Sequence, residues 1–245
     1  MGWVMQLKNF GFLVVVWLAG CAAQPPPAKP APAAAPAPRE LPAGTSLDPA
    51  GGRVNFPPSV PLAARELAIA GLPTLGSPAA PVTVVEFMDY ECPYCQGFAQ
   101  TDFPTLKARY IDTGKLRYVL VNFPLPRHAR ARPAAVAAAC AEAQGKFWPM
   151  HEHLLAKDSG PLRDEDFTRH ARSLALDIDA FERCRAERAD ASWLDTDVAA
   201  ARAVGVNATP SFLIGKSAVA VARGRLLRGA PTLAEFEQQI DALLK

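Results

Sequence analysis

Val82-Thr-Val-Val-Glu-Phe-Met-Asp-Tyr-Glu-Cys-Pro-Tyr-Cys95 is the stretch whose reading decides the fold. Its first half is a short apolar run rich in β-branched residues, bounded by turn formers, and reads as a strand. Its second half sets two thiols three positions apart, with a proline between them that suits the first turn of a helix. At that spacing the sulfurs can close a small ring at a helix N-terminus and cycle between dithiol and disulfide. The residues point to redox chemistry.

Working outward, Gly76-Ser77-Pro78-Ala79-Ala80-Pro81 introduces the first clear strand, Val82 to Met88. A helix is predicted from about Pro93 to Tyr110, kinked at Pro104, which cannot donate a main-chain hydrogen bond. Asp112-Thr113-Gly114 ends it, and Leu116 to Phe123 reads as a second strand closed by Pro124 and Pro126. From Arg127 to Val206 the pattern turns helical, with helices predicted over Pro133 to Ala143, Phe147 to Ala156, Asp164 to Ala175, Ile178 to Arg188 and Ser192 to Val204. Pro210 to Ile214 and Ala218 to Ala222 then read as two antiparallel strands around Gly215-Lys216-Ser217. In the last element, Thr232 to Leu244, helical spacing puts Leu233, Phe236, Ile240 and Leu243 on one face. The order is βαβ, an all-helical insertion at about 127–206, then ββα.

That order is an α/β thioredoxin fold with a helical insertion, and the domain resembles the DsbA-like group of extracytoplasmic thiol-disulfide oxidoreductases. The resemblance is carried by Gly76-Ser77-Pro78, by Glu86-Phe87 and Asp89-Tyr90-Glu91 leading into Cys92-Pro93-Tyr94-Cys95, and by Asp112-Thr113-Gly114-Lys115. Phe123-Pro124-Leu125, Gly145-Lys146-Phe147-Trp148 and Thr209-Pro210 follow in order, so that the likeness covers roughly 73–245.

The resemblance implies that Cys92 is the exchanging sulfur and Cys95 the resolving thiol. A helix start exposes Cys92 to unpaired backbone N–H groups and the positive end of the helix dipole, both of which lower a thiol pKa. Cysteines in such motifs fall at about 3.5 to 7.5. Asp89 and Glu91 should work the other way, because nearby carboxylates disfavour a second negative charge. Pro93 and Tyr94 form the dipeptide by which these proteins tune their potential. Cys95 needs a proton acceptor, and Glu86 is the candidate, since alternation along the strand puts it on one face with Val84 and Met88. The family has a buried acid at this position; the alternative is a carboxylate on a solvated sheet surface. Thr209-Pro210 matches the place where the fold holds a cis-proline against the active-site disulfide, presenting the Thr209 backbone to an extended client peptide; the alternative is an ordinary trans bond.

A structural zinc site is not supported, because no second C-x-x-C or C-x-x-H completes a tetrahedral set. In His151-Glu152-His153 the histidines lie two apart, and Leu155 and Ala156 break the H-E-x-x-H pattern. His151 reads as a helix-packing residue and His153 as a solvated one, while His128 has no partner visible in the sequence. No metal or cofactor is expected. Cys140 and Cys184 remain, and in an exported protein they are most simply a structural disulfide, as some DsbA-like proteins carry; two buried free thiols is the alternative. Closing that loop would restrict the unfolded chain by about 4 kcal/mol.

The N-terminal part has a different character. Lys8 precedes an apolar run, Phe10 to Ala19, of signal-peptide length, and Leu18-Ala19-Gly20-Cys21 resembles a bacterial lipobox. That implies a signal peptide at 1–20 and lipidation of Cys21; an ordinary signal peptide or a retained anchor is the alternative, and each exports the protein. From Ala22 to Leu62 the chain carries 12 of its 24 prolines without apolar periodicity. Such a segment favours extended conformations and cannot bury enough surface to order itself, so 21–62 reads as a tether and 63–245 as the folded domain. A net charge of +2, with the two signs interspersed, excludes a nucleic-acid surface.

The leading expectation is an enzyme that forms disulfides in reduced or unfolded exported proteins and is reoxidised by a DsbB-like, quinone-linked membrane partner. It would be lipid-anchored at the periplasmic face of the cell envelope. Ala22 lacks the aspartate that signals inner-membrane retention, which leans towards the outer membrane. The alternatives are a reductase or isomerase kept reduced by a membrane donor, and a non-enzymatic envelope protein that binds peptides.

Overall fold

The computed structural model describes residues 65–245, so the signal peptide, Cys21 and the tether lie outside the described residues. Fifteen elements follow one another. They are β1 (Arg65–Ala68), β2 (Thr74–Leu75), β3 (Val82–Met88), α1 (Pro93–Thr101), α2 (Phe103–Leu106), a π-helical turn (Lys107–Ile111), β4 (Leu116–Asn122), α3 (Ala131–Glu142), α4 (Phe147–Leu155), α5 (Asp164–Ser173), α6 (Ile178–Glu187), α7 (Trp193–Ala203), β5 (Ser211–Lys216), β6 (Val221–Arg228) and α8 (Leu233–Leu244). The sheet order is β1-β6-β5-β3-β4-β2, with β3 and β4 parallel and the other pairs antiparallel.

β3 lies at the centre, and all seven of its residues are buried, as a strand covered on both faces requires. On one face Val82 and Val84 pack with Phe98, Phe212, Phe236 and Ile240. On the other, Val85 and Phe87 pack with Val119, Leu213, Ala201 and Val204. The thioredoxin fold with its all-helical insertion is therefore present. Within the insertion, α7 covers the second face of the sheet, while the small side chains of Ala134, Ala137, Ala138 and Ala141 of α3 share a core with Met88, Tyr90, Cys92 and Cys95 where α1 begins. Cys140 and Cys184 are joined, tying α3 to α6 across a Cα–Cα distance of 5.7 Å.

Four expectations are corrected. The long helix after Cys92 does not run to Tyr110 with a kink at Pro104; it stops at Asp102, and Pro104 lies in the first turn of α2, where a missing donor is no loss. The chain then widens into the π-helical turn, with Asp112 N donating to Lys107 O at 2.9 Å. The last strand is Val221–Arg228 rather than Ala218 to Ala222. Two glycines set this pairing, because a Cβ on Gly215 would collide with the Arg223 carbonyl and one on Gly224 with that of Ile214. The preceding turn is held by Arg117, which donates to Ala218 O at 2.5 Å. Finally, two edge strands before Val82, β1 and β2, have no counterpart in the sequence reading.

The Cys140–Cys184 bond closes a long loop across the insertion. Replacing both residues by alanine is expected to lower the unfolding free energy by about 2 to 4 kcal/mol, read from urea denaturation followed by circular dichroism. A loss under about 1 kcal/mol would show that the cross-link does not stabilise the insertion.

Candidate active site

The two thiols stand where β3 turns into α1. Asp89 organises the turn: its buried carboxylate accepts from Glu91 N at 2.8 Å and Leu125 N at 2.7 Å and pairs with His128 Nδ1 at 2.8 Å. Its carbonyl accepts from Cys92 N at 3.1 Å. Glu91 Oε2 accepts from Arg130 N at 2.5 Å. These bonds fasten the turn to the connection between β4 and α3. His128 thus has a partner 39 residues away, which its neighbourhood in sequence does not reveal. Asp89 and Glu91, expected to oppose a Cys92 thiolate, are each engaged by donors within the turn.

Cys92 occupies the N-cap of α1 with extended backbone, φ −74° and ψ 117°, and Pro93 opens the helix. The residue is 2% exposed, and its thiol donates to Thr209 O at 3.3 Å. The Thr209–Pro210 bond is cis. Hydrogen bonding from the Cys95 thiol holds Cys92 down at about 5 against the cost of burial, with further help from Thr209 and from the backbone N–H groups of Cys95 and Tyr94. Those backbone groups are the unpaired donors of a helix start. Pro93 and Tyr94 face solvent, Tyr94 at 69% exposure.

Cys95 lies deeper in α1 and is fully buried. Burial pushes its thiol far up, and donation to Cys92 and the charges of Glu86 and Cys92 push it further. Two sulfurs on one helical turn thus differ in acidity, because Cys92 accepts a hydrogen bond from Cys95 and the N–H groups of the helix start, whereas Cys95 donates and is buried in the core.

Glu86 is 4% exposed, which removes the solvated-surface alternative. It projects from β3 on the face that carries Val84 and Met88, and Tyr118 Oη donates to its Oε2 at 2.5 Å. Burial raises its carboxyl to about 7, Tyr118 opposes the rise and the charge of Cys92 adds to it. Cys92, Cys95, Pro93, Tyr94, Thr209, Pro210 and Glu86 therefore converge at one end of the sheet, while Cys140 and Cys184 form the cross-link within the insertion.

Tyr118 and His128 belong to this neighbourhood although no motif pointed to them, and Asp89, which lies in the motif, takes the role of an anchor. Tyr118 had a signal: a tyrosine in a strand as apolar as β4 needs a hydroxyl partner. The histidines of α4 divide. His151 is buried, bonds Tyr90 Oη at 3.2 Å and is lowered to about 3 by burial, as suits a packing residue. His153 is half-buried rather than solvated, edge-on to His170 with ring centroids 5.4 Å apart.

A thioredoxin family model matches residues 70–242. Among solved structures, the chain is similar to alpha-DsbA1 of Wolbachia pipientis at 27% identity and a TM-score of 0.63, covering 72% of this chain and 92% of that one. It is also similar to oxidised BdbD of Bacillus subtilis, at 26% identity and a TM-score of 0.63, covering 74% and 97%. A curated relative, Na(+)/H(+) antiporter NhaA 3 of Salinispora tropica, is 43% identical over 136 residues, 55% of this chain. The chain spans about a fifth of the length of that relative, 20%.

Two titrations check the electrostatics. In the reduced protein, thiolate absorbance near 240 nm should rise with a midpoint near pH 5, and a midpoint above 8 would contradict the site. A lowered folded-state pKa adds stability above the unfolded value and loses it as pH falls through the folded one. The reduced form should accordingly gain stability over the disulfide form as pH rises from about 5 to about 9. In the disulfide form neither sulfur titrates and Glu86, still raised by burial, has the opposite sign: its contribution is full below about 4.5 and is lost as pH rises through its folded value, which lies below about 7 once the Cys92 charge is gone. Glu86→Gln should flatten that decline in denaturant melts of the oxidised protein.

Proposed function

The chain belongs to the thioredoxin family, in its DsbA-like form, and from that premise we propose that it exchanges disulfides with client proteins outside the cytoplasm through Cys92 and Cys95. The observation that carries this reading is the placement of the two sulfurs: Cys92 at the N-cap of α1, 3.3 Å from the carbonyl of Thr209 beside the cis peptide bond, and Cys95 buried in the core behind it.

The direction follows from the same asymmetry. The more a thiolate is stabilised in the dithiol form, the stronger an oxidant the corresponding disulfide becomes. Cys92 at about 5 favours donation of the Cys92–Cys95 disulfide. A client thiolate attacks Cys92, forming a mixed disulfide and breaking the Cys92–Cys95 bond. The released Cys95 sulfur takes a proton from Glu86, which at about 7 holds or yields one near neutral pH. A second client thiolate then attacks the client sulfur of the mixed disulfide, closing the client's disulfide and freeing Cys92 as a thiolate. The client loses two electrons and the enzyme gains them. Thr209 and Pro210 offer the client an extended backbone edge, and the exposed Tyr94 contributes contact area beside the sulfur.

The reduced enzyme returns to the disulfide through a membrane partner of the quinone-linked type. Attachment through a lipid on Cys21 would keep the domain at the periplasmic face of the envelope. Among the described residues no helix is long and apolar enough to cross a membrane, and Cys140–Cys184 serves as a structural bond.

Trapping thiols in intact cells and reading the state of Cys92 and Cys95 tests the direction: a predominant disulfide is expected, and a predominant dithiol would overturn it in favour of a reductase or isomerase. For the residues, Cys92→Ser should abolish oxidation of a reduced model peptide, whereas Cys95→Ser mixed with glutathione disulfide should take up one glutathione on Cys92, releasing the other as a thiolate, and retain that mixed disulfide. Full activity in Cys92→Ser would remove the assignment.

A further inference from the structure

Tyr118 stands on β4, beside the strand that carries Glu86, and its hydroxyl is the group among the described residues that hydrogen-bonds the Glu86 carboxylate. The ring is fully buried, its centroid 4.9 Å from that of Phe103 and 6.3 Å from that of Trp148. Trp148 is itself pinned by donation from Nε1 to Thr74 O at 3.2 Å. The phenol is thus held on a rigid strand by packing from two sides, and the bond to Oε2 is 2.5 Å long. The other titratable groups that act with Glu86 are Cys92 and Cys95 from α1 and Tyr90 from the turn before it, and none of them is a cation. A buried carboxylate without a cationic partner depends on its hydrogen-bond donors to remain ionised.

We propose that Tyr118 is a positioning residue for the exchange reaction, whose hydroxyl orients Glu86 and sets the pH at which that carboxylate accepts the proton of Cys95. The inference rests on the reading of Glu86 as the proton relay. It concerns the closing step: Glu86 takes the proton of the Cys95 thiol, the Cys95 sulfur attacks Cys92 in a mixed disulfide, the Cys92–Cys95 bond forms, and the departing sulfur leaves as a thiolate with the electron pair of the broken bond. The phenol of Tyr118 keeps its own proton throughout, since burial and the neighbouring Glu86 push its ionisation well above the ordinary range.

The test is the pH dependence of glutathione release from the Cys92–glutathione mixed disulfide, measured by stopped flow. The unaltered protein should show an inflection above the ordinary carboxylate range and no higher than about pH 7, since Cys92 carries no charge in the mixed disulfide. Losing a hydrogen bond to a charged group should move that inflection upward by about one pH unit in Tyr118→Phe, making closure about tenfold slower at pH values well below the inflection. The thiolate absorbance of Cys92 should keep its midpoint near 5. An unmoved inflection in Tyr118→Phe would overturn the proposal. If Glu86→Gln retains the inflection, the relay itself fails, whatever Tyr118→Phe does. Should Tyr118→Phe not fold, Tyr118→3-fluorotyrosine, a stronger donor of the same shape, should move the inflection to lower pH; no movement there would overturn the proposal equally.

Discussion

A single buried carboxylate, that of Asp89, holds the reactive end of this molecule together. It gathers donors from Glu91, Leu125 and His128, and its own carbonyl receives the N–H of Cys92. Without these bonds, the short turn between a central strand and a helix would leave polar backbone groups buried and unmatched. With them, the turn has one conformation, and the first sulfur of the pair arrives at the N-cap of α1 with its side chain towards Thr209. That anchoring gives a structural reason for an acidic residue three positions before the reactive thiol.

From that fixed turn the chemistry follows by depth. Cys92 lies at the helix mouth, where backbone N–H groups lack helical partners, and Cys95 lies in the core formed by β3, α1 and the alanine face of α3. Glu86 approaches the same core from the strand and is carried to about 7 by burial. One group is made more acidic and two less acidic by a displacement of a single helical turn. The sheet and the inserted helices matter to function chiefly because they fix how far each group stands from water.

Legibility in the sequence followed the range of the interactions. The apolar run Val82 to Met88, the thiol spacing, the proline at the start of α1 and the helical face of Phe236 and Ile240 are local patterns, and each marked its element. So did most helix ends of the insertion, to within one or two residues. β6 was misplaced because Arg223, Arg225 and Arg228 interrupt the apolar pattern of a strand that is only partly covered, and its register depends on two glycines meeting across a sheet. The break at Asp102 was missed because Pro104 has two readings, a kink or a helix start, which local sequence cannot separate. The links from Asp89 to His128, from Glu91 to Arg130 and from Glu86 to Tyr118 join residues more than thirty positions apart. Such pairings are decided by topology, and a single sequence carries little of that.

The cross-link between α3 and α6 also decides which sulfurs can meet. Four cysteines are present among the described residues, and four thiols allow three pairings. Only one of these joins Cys92 to Cys95, and it is the one that the Cys140–Cys184 bond leaves open. By occupying each other, the two sulfurs of the insertion remove the competitors that could divert the reactive pair into a wrong partner within the described residues.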